Sequence, residues 1–516
     1  MFGMANLQGK ALYKTMSAAC GAAFMLYGYD AGVLGGFQET PQFREAIGNP
    51  EGAFTIPLIA SSYNLAAGVM SLCTSFFAMQ LGRKGTILLG NFLICVGAVL
   101  QASSYSVPHI LVGRIVTGAG IGCIASSVPT YMAEMSLEAG ERGPEVSYQL
   151  ALLISGVALA YWIDLGFVQG LEEHPWLWRI PLAMQSCFAI FSTALLCFLP
   201  DTPRWYYARN RFDEADRCLA RLHALPVEHE LVQQQREEVL ASLKEEESDS
   251  SSFNFWLLFW DNSELQFGRR LRTSFLILWA QQFLGINMLV YFSTQIFSNL
   301  GYSPMLSGVL AGVMNTIFAI ASFPPIWFIE KLGRRPMMFW CALGCGVSMI
   351  IYVGLTTVAN PTTATNWAAV AFIILYNVVF AFGWLGTCWI YGPEIAPLRY
   401  RHVAGSLGAA GEWFSTWVMV FGGGTGIAAV GPKIFIWPLV CCFLAAAYVW
   451  YYCPETTGRT LEEIDVLFAK PGPHREALER AAAESASRRG SVNSGRGVFE
   501  KAGAEQIETK REKEVL

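Results

Sequence analysis

Charged residues are scarce in this 516-residue chain. Asp, Glu, Lys and Arg make up 15% of it, against about 25% in a typical soluble protein. That figure argues against an ordinary cytosolic enzyme, and a hydrophobic content of 53% excludes a disordered chain. Neither sign of charge dominates. The 35 Lys and Arg against 40 Asp and Glu leave a net charge of −5, far from the basic surface of a nucleic-acid binder. Histidine is rare: His109, His174, His223, His229, His402 and His474 form no ligand spacing. No metal site and no Ser-His-Asp set is legible, and no enzymatic activity is expected. Cysteine is present but scattered. Cys20, Cys73, Cys95, Cys123, Cys441 and Cys442 lie inside apolar runs, where Cys is a small packing residue rather than half of a disulfide.

What the chain has instead is apolar length. A membrane span takes about 20 apolar residues, so twelve spans would use about 240, near half the chain. Twelve runs are legible: 15–37, 55–79, 86–104, 108–132, 145–168, 179–200, 273–297, 305–329, 337–358, 366–392, 403–427 and 432–453. Each is expected to be a helix, because hydrocarbon leaves a single segment no other way to satisfy its backbone. No small-residue cleavage site follows the first run, so it reads as a retained span. Lys10, Lys14, Arg83, Lys84, Arg142, Lys331, Arg334, Arg335, Arg399 and Arg401 fall in alternate connections, whereas 298–304 and 359–365 carry no charge. By the positive-inside rule both termini are expected to be cytoplasmic.

Four regions follow. Residues 1–200 form one six-helix bundle and 273–453 another. Residues 201–272 form a cytoplasmic loop, with a charged, helix-prone segment from Arg211 to Lys244 and then a linker-like run, Glu245 to Ser252. Residues 454–516 form a tail expected to be largely disordered after about 471. Arg488-Arg489-Gly490-Ser491 offers Ser491 to a basophilic kinase, the alternative being an idle solvated tail.

The two bundles repeat one another. Gly82-Arg83-Lys84 returns as Gly333-Arg334-Arg335, Tyr131-Met132-Ala133-Glu134 as Tyr391-Gly392-Pro393-Glu394, and Pro200-Asp201-Thr202 loosely as Pro454-Glu455-Thr456. Each pair falls at the same end of the corresponding helix, so the halves share one orientation. Parallel repeats of this kind occur in transporters that bind substrate between their halves near mid-membrane. Gly118-Ala119-Gly120-Ile121-Gly122 has neither the preceding strand nor the spacing of a dinucleotide loop. Close helix packing explains it better.

Taken in order, these motifs resemble the sugar porter family of the major facilitator superfamily. They are Gly28-Tyr29-Asp30, Gly82-Arg83-Lys84, Arg114 with Gly118, Gly120 and Gly122, Pro129 to Glu134, Arg142-Gly143 and Pro203-Arg204-Trp205. Gln281 to Asn287 and Pro454 to Glu463 complete the set. The resemblance covers about 15–465, and the central loop and tail look like those of fungal members. It implies an all-α membrane protein with the major facilitator fold: twelve transmembrane helices in two six-helix halves, with a cytoplasmic helical central loop. It implies proton-coupled uptake of a monosaccharide or related neutral polyol by alternating access, with a facilitative uniporter or a non-transporting sensor as the rivals. It also implies no cofactor beyond the coupling proton, function as a monomer in the lipid bilayer, and the plasma membrane as the commonest address.

Individual residues carry the chemistry. Asp30 lies inside an apolar run, where a carboxylate costs several kcal/mol unless protonated or paired. The resemblance sets it opposite Arg114 as the proton-coupling pair. Gln281, Gln282 and Asn287 offer both donors and acceptors, which suits a polyhydroxy ligand, and helical spacing stacks position 282 on 286. The resemblance makes them ligand contacts, together with Gln149, Asn315, Trp389 and Trp413. Glu412 stands where the family carries an amide, as a second protonatable group or a determinant of ligand choice. Arg83, Glu134, Arg142, Glu330, Arg334, Glu394 and Arg401 match the family's cytoplasmic gate. Met79 replaces the acid that Glu330 supplies in the second half.

Overall fold

The computed structural model describes residues 7–50, 52–136, 142–171, 173–248, 255–261, 263–397, 400–459, 461–473, 475–476 and 479–480. Ser491 lies outside them. The chain divides into two compact units, Met1–Phe253 with Leu271–Thr457, and Asn254–Arg270 with Gly458–Leu516.

Among the described residues ten stretches are long and apolar enough to cross a membrane by length and composition. One of them, Val403–Tyr452, runs for 50 residues and is split by a 3-10 turn at Gly431–Phe435, so it holds two spans. Gly9–Phe37 adds another: its 29 residues reach about 43 Å as a helix. The result is the expected twelve. They are α1 (Gly9–Phe37), α2 and α3 (both within Thr55–Ala102), α4 (Val107–Met135), α5 (Arg142–Gly170) and α6 (Trp176–Leu196). The second half has α7 (Phe267–Phe283, then Ile286–Asn299), α8 (Pro304–Ala321, then Pro325–Leu332), α9 (Arg334–Thr356), α10 (Thr363–Phe380 to Thr387–Ile395), α11 (Arg401–Val430) and α12 (Ile436–Tyr452). With an even number of spans, α1 begins and α12 ends at the same face, here called the terminal end; the opposite face is the far end.

Several spans are not simple rods. α7 breaks at Gly285, whose φ is 102°. Pro324 and Pro325 interrupt α8, since proline removes a helical donor and clashes with the preceding turn. α10 widens into a π turn over Ala381–Leu385. The central loop folds into three helices, Pro203–Ala208, Phe212–His223 and Glu230–Ser248, around a small core of Tyr207, Ala215, Leu219 and Val232. The last helix therefore runs into the stretch expected to be a linker. In the second unit Arg270 pairs with Asp465 at 2.7 Å, and the Lys470 amide donates to the Glu264 carbonyl. The start of α7 and the segment before it are thus tied to the short helix Leu461–Phe468 and the residues just after it, a pairing the sequence does not signal.

The repeated motifs meet one another in space. Gly82 and Gly333 turn the chain from α2 to α3 and from α8 to α9, with φ of 84° and 87°. Immediately after each turn an acid caps the next helix. The Arg83 amide donates to Asp201 at 3.1 Å, and the Arg334 amide donates to Glu455 at 3.0 Å. The tyrosines of the second motif also reach the third: Tyr131 donates to the Pro200 carbonyl at 2.7 Å and Tyr391 to the Pro454 carbonyl at 2.9 Å.

Close approach of helices needs glycine. A Cβ at Gly28 of α1 would fall 1.7 Å from the Leu153 carbonyl of α5. A Cβ at Gly118 would meet the Tyr63 carbonyl of α2 at 2.3 Å, which gives the glycines of α4 their packing role. The halves meet along α2–α11, where Gly68 faces Trp413, and along α5–α8, where Trp162 donates to Thr316 at 2.8 Å. Gly28→Val is expected to destabilise the bundle by at least about 3 kcal/mol, the upper end for overpacking, because a backbone carbonyl cannot yield as a side chain can. A melting temperature in detergent within 2 °C, roughly, of the parent would disprove this.

Candidate functional site

Asp30 lies seven residues before the end of α1, and Arg114 lies seven residues after the start of α4. The two helices run in opposite directions, so both side chains reach one depth, about 10 Å from the far end. Arg114 Nη1 donates to Asp30 Oδ1 at 3.0 Å, and neither side chain is exposed at all. The guanidinium also stacks on the Tyr63 ring at 4.3 Å. Asp30 Oδ2 has no hydrogen-bond partner. The pair is therefore neutral in sum yet not saturated, an arrangement in which one proton could replace one ionic contact.

Just beside it the halves touch. The Tyr63 and Tyr291 hydroxyls form a short hydrogen bond, and Tyr291 also donates to Asn64 Oδ1 at 3.3 Å. Gln38 of α1 donates to the Tyr291 carbonyl at 3.1 Å, and Tyr161 of α5 donates to the Val290 carbonyl at 2.5 Å. The second piece of α7 is thereby laid across α1, α2 and α5. Sequence reasoning passed over these tyrosines; polar rings inside apolar runs were the available signal.

The next layer is a chain of amides. Gln281 donates to the Trp384 and Leu385 carbonyls of the π turn at 2.8 and 3.0 Å. Gln282 donates to Gln281 Oε1 at 3.2 Å. Asn287 donates to Gln282 Oε1 and, at 3.3 Å, to Thr416 of α11. The break at Leu284-Gly285 interrupts the helical spacing that would stack position 282 on 286, and Asn287 turns back onto Gln282. Asn315 of α8 is wholly buried; it donates to the Ala311 carbonyl and to Ser293 Oγ of α7, leaving Oδ1 unpartnered.

Glu412 and Trp413 of α11 are buried opposite α1. Tyr27 of α1 faces Glu412, and its ring lies 5.5 Å from that of Trp413. Glu412 Oε2 and Trp413 Nε1 have no partner, so α11 holds an open acceptor and an open donor at neighbouring positions. Two expected ligand contacts sit differently. Gln149 lies toward the terminal end and donates to Glu145 at 2.8 Å, in a group with Ser17. Trp389 is half-buried, while the fully buried tryptophan of α10 is Trp384, which donates to the Met338 carbonyl at 2.9 Å.

At the terminal end Arg83 pairs with Glu134 at 2.8 Å and leans on Met79 Sδ at 3.1 Å. Its counterpart Arg334 holds two acids, Glu330 at 2.6 Å and Glu394 at 2.7 Å. The missing acid at position 79 thus leaves the first-half cluster one carboxylate short. The side chains of Arg142 and Arg401 lie outside the described residues.

Residues 14–468 match the family described as sugar (and other) transporter, and the chain belongs to that family of membrane transporters. Among its relatives, the MFS-type transporter oryC of Aspergillus oryzae is 31% identical over 89% of this chain and 86% of its own length. The sugar transporter STL1 of Saccharomyces cerevisiae is 30% identical over 90% and 83%. The high glucose sensor RGT2 of the same yeast is 28% identical over 86% of this chain and 59% of its own length. In structure the chain resembles the proton:xylose symporter XylE bound to 6-bromo-6-deoxy-D-glucose, with a TM-score of 0.74, 21% identity and coverage of 89% and 100%. A partially occluded inward-open form of XylE from E. coli gives 0.73 at 20% identity, over 87% and 100%. These likenesses establish the major facilitator fold in a multi-pass membrane protein.

The capping acids allow a test outside the membrane. Burial opposes ionisation of Glu455, but hydrogen bonds from Thr457 and from the Arg334 and Arg335 amides outweigh it and hold the carboxyl below its ordinary 4.5. Asp201 goes the other way: burial outweighs its amide partners and raises it. A depressed carboxyl stabilises the fold above its unfolded value and loses that contribution as pH falls through the folded one. Glu455→Gln is therefore expected to cost about 1 kcal/mol at neutral pH, solvent screening keeping it at the low end. The cost should shrink only below about pH 4.5. Melting curves of parent and variant that differ equally at pH 4 and pH 7 would contradict it.

Proposed function

We propose that this chain is a secondary active transporter that moves a monosaccharide together with a proton by alternating access. The observation that carries the reading is the Asp30–Arg114 pair, wholly buried, in direct contact, and holding one carboxylate oxygen in reserve. The names of its relatives support the class of cargo: STL1 is a sugar transporter, and XylE, which shares the fold, is a proton:xylose symporter.

In this reading Asp30 is ionised while Arg114 is beside it and protonated when the helices separate, since desolvation then favours the neutral acid. Occupation of the amide layer by hydroxyl groups rearranges the break at Gly285, and with it the contact of α7 on α1 and α2. Gln281, Gln282, Asn287 and Asn315 supply donors and acceptors, and Trp413 covers the C–H face of the ring. Glu412 accepts from ligand hydroxyls. Arg83–Glu134 and the Arg334 cluster close the terminal end and must open once per cycle. We assign that end to the cytoplasm, the plasma membrane as the location, the proton as the sole coupling species, and the monomer as the working unit.

The driving force is adequate. One proton moving down 100 mV releases about 2.3 kcal/mol, and one pH unit adds about 1.4. Together they support on the order of several-hundredfold accumulation of a neutral solute.

In proteoliposomes, sugar addition is expected to alkalinise the outer medium, and Asp30→Asn is expected to abolish accumulation while leaving counterflow exchange. Exchange is the control for folding, because an Arg114 without its partner costs about 3–5 kcal/mol. A mutant that still concentrates substrate refutes the coupling role. Transport without alkalinisation would mean a facilitative carrier, and binding without transport a sensor. Competition among hexoses, pentoses, polyols and quinate identifies the cargo.

A further inference from the structure

Asp164 of α5 is a second carboxyl with no access to solvent, and neither of its oxygens has a hydrogen-bond partner. Its side chain is pressed against the backbone of α1: a Cβ on Gly36 would fall 2.3 Å from Asp164 Cβ and 2.4 Å from Oδ2. No ion pair reaches it among the described residues. The titratable groups around it are tyrosines, a cysteine and, farther off, the paired Asp30. Tyr29 of α1 lies within electrostatic reach, with Cys187 of α6 and Asp30 beyond it, and Tyr161 is the near neighbour on α5 itself. Both hydroxyls are committed elsewhere, Tyr29 donating to the Pro181 carbonyl at 3.0 Å and Tyr161 to the Val290 carbonyl at 2.5 Å.

The neighbourhood is a seam between the halves. Gly36, Tyr161, Leu165 and Gln169 from α1 and α5 face Thr294 and Gly308 from α7 and α8 across a cavity of about 40 Å³. That is room for about three waters, each needing roughly 10–15 Å³. Thr294 Oγ1 on its wall is unpartnered. The same seam is closed by the bonds of Tyr161 and Gln38 to the α7 backbone.

An ionised carboxylate at such a place would have no opposite charge and only the Gly36 amide of α1 to compensate it, which costs far more than a buried pair. We infer that Asp164 is a second proton-binding carboxyl, protonated while α1 and α5 lie closed against α7 and α8, and releasing its proton to the water that enters when this seam parts. The inference rests on the alternating-access reading but not on Asp30, which faces α4 rather than α5. It makes closure of the seam itself a proton-linked step.

Infrared spectra of the purified protein in nanodiscs near neutral pH test it directly. Expected is a protonated-carboxyl C=O band, sensitive to deuteration, that persists in Asp30→Asn, disappears in Asp164→Asn and shifts without vanishing in Asp164→Glu. Superimposable C=O regions in the parent and a folded Asp164→Asn overturn the inference. If Asp164→Asn does not fold, a band left unmoved by Asp164→Glu overturns it equally. Counterflow supplies a second readout. In Asp30→Asn, exchange should fall with rising pH by up to about tenfold per unit, the limit for one proton. Adding Asp164→Asn should flatten that profile to within about twofold, and an unchanged profile counts against the inference. Loss of all exchange in Asp30→Asn would fault the transport reading, while the infrared band would still decide Asp164.

Discussion

An aspartate and an arginine with no exposure to solvent hold each other at 3.0 Å between α1 and α4. The rest of the interior is arranged around the problem this poses. Separating such a pair leaves two uncompensated charges in a medium that cannot screen them. The bundle can therefore rearrange at that level only if a proton is gained or the arginine finds other support. Tyr63 offers some of that support from below the guanidinium. Because Tyr63 also bonds Tyr291, the state of the ion pair is mechanically joined to the broken helix that carries the amides.

The duplication is more than an economy of sequence. Each half uses the same three-part device at the terminal end: a glycine with positive φ turns the chain, an acid caps the next helix, and a tyrosine ties the loop behind it. The halves differ where they differ chemically. Arg334 has two acids and Arg83 has one with a thioether, so the second half carries one more carboxylate at this end. The Asp201 and Glu455 caps are likewise unequal: burial dominates at Asp201, hydrogen bonding at Glu455.

Much of this was legible beforehand, for identifiable reasons. Twelve spans could be read because a bilayer demands apolar length and helix alike. Asp30 stood out because an acid in an apolar run is costly, and by the same rule Asp164, in Tyr161-Trp162-Ile163-Asp164-Leu165, was there to be noticed. The stacking of Gln282 on position 286 presumes an unbroken helix, and the chain breaks at Gly285 between them. Gln149 could be assigned to a helix but not to a depth-specific partner, and Glu145, one turn away, engages its amide.

Composition, apolar length and repeated motifs by themselves determined that this is a duplicated membrane bundle, since those features are set by the solvent around the chain and act on each segment separately. Which side chains meet was decided only in three dimensions. The closure of Tyr63 on Tyr291, the approach of Tyr27 to Glu412 and the isolation of Asp164 against Gly36 join residues 228, 385 and 128 positions apart, respectively. No local spacing encodes such meetings; they follow from how closely glycine lets helices approach and from where each helix breaks.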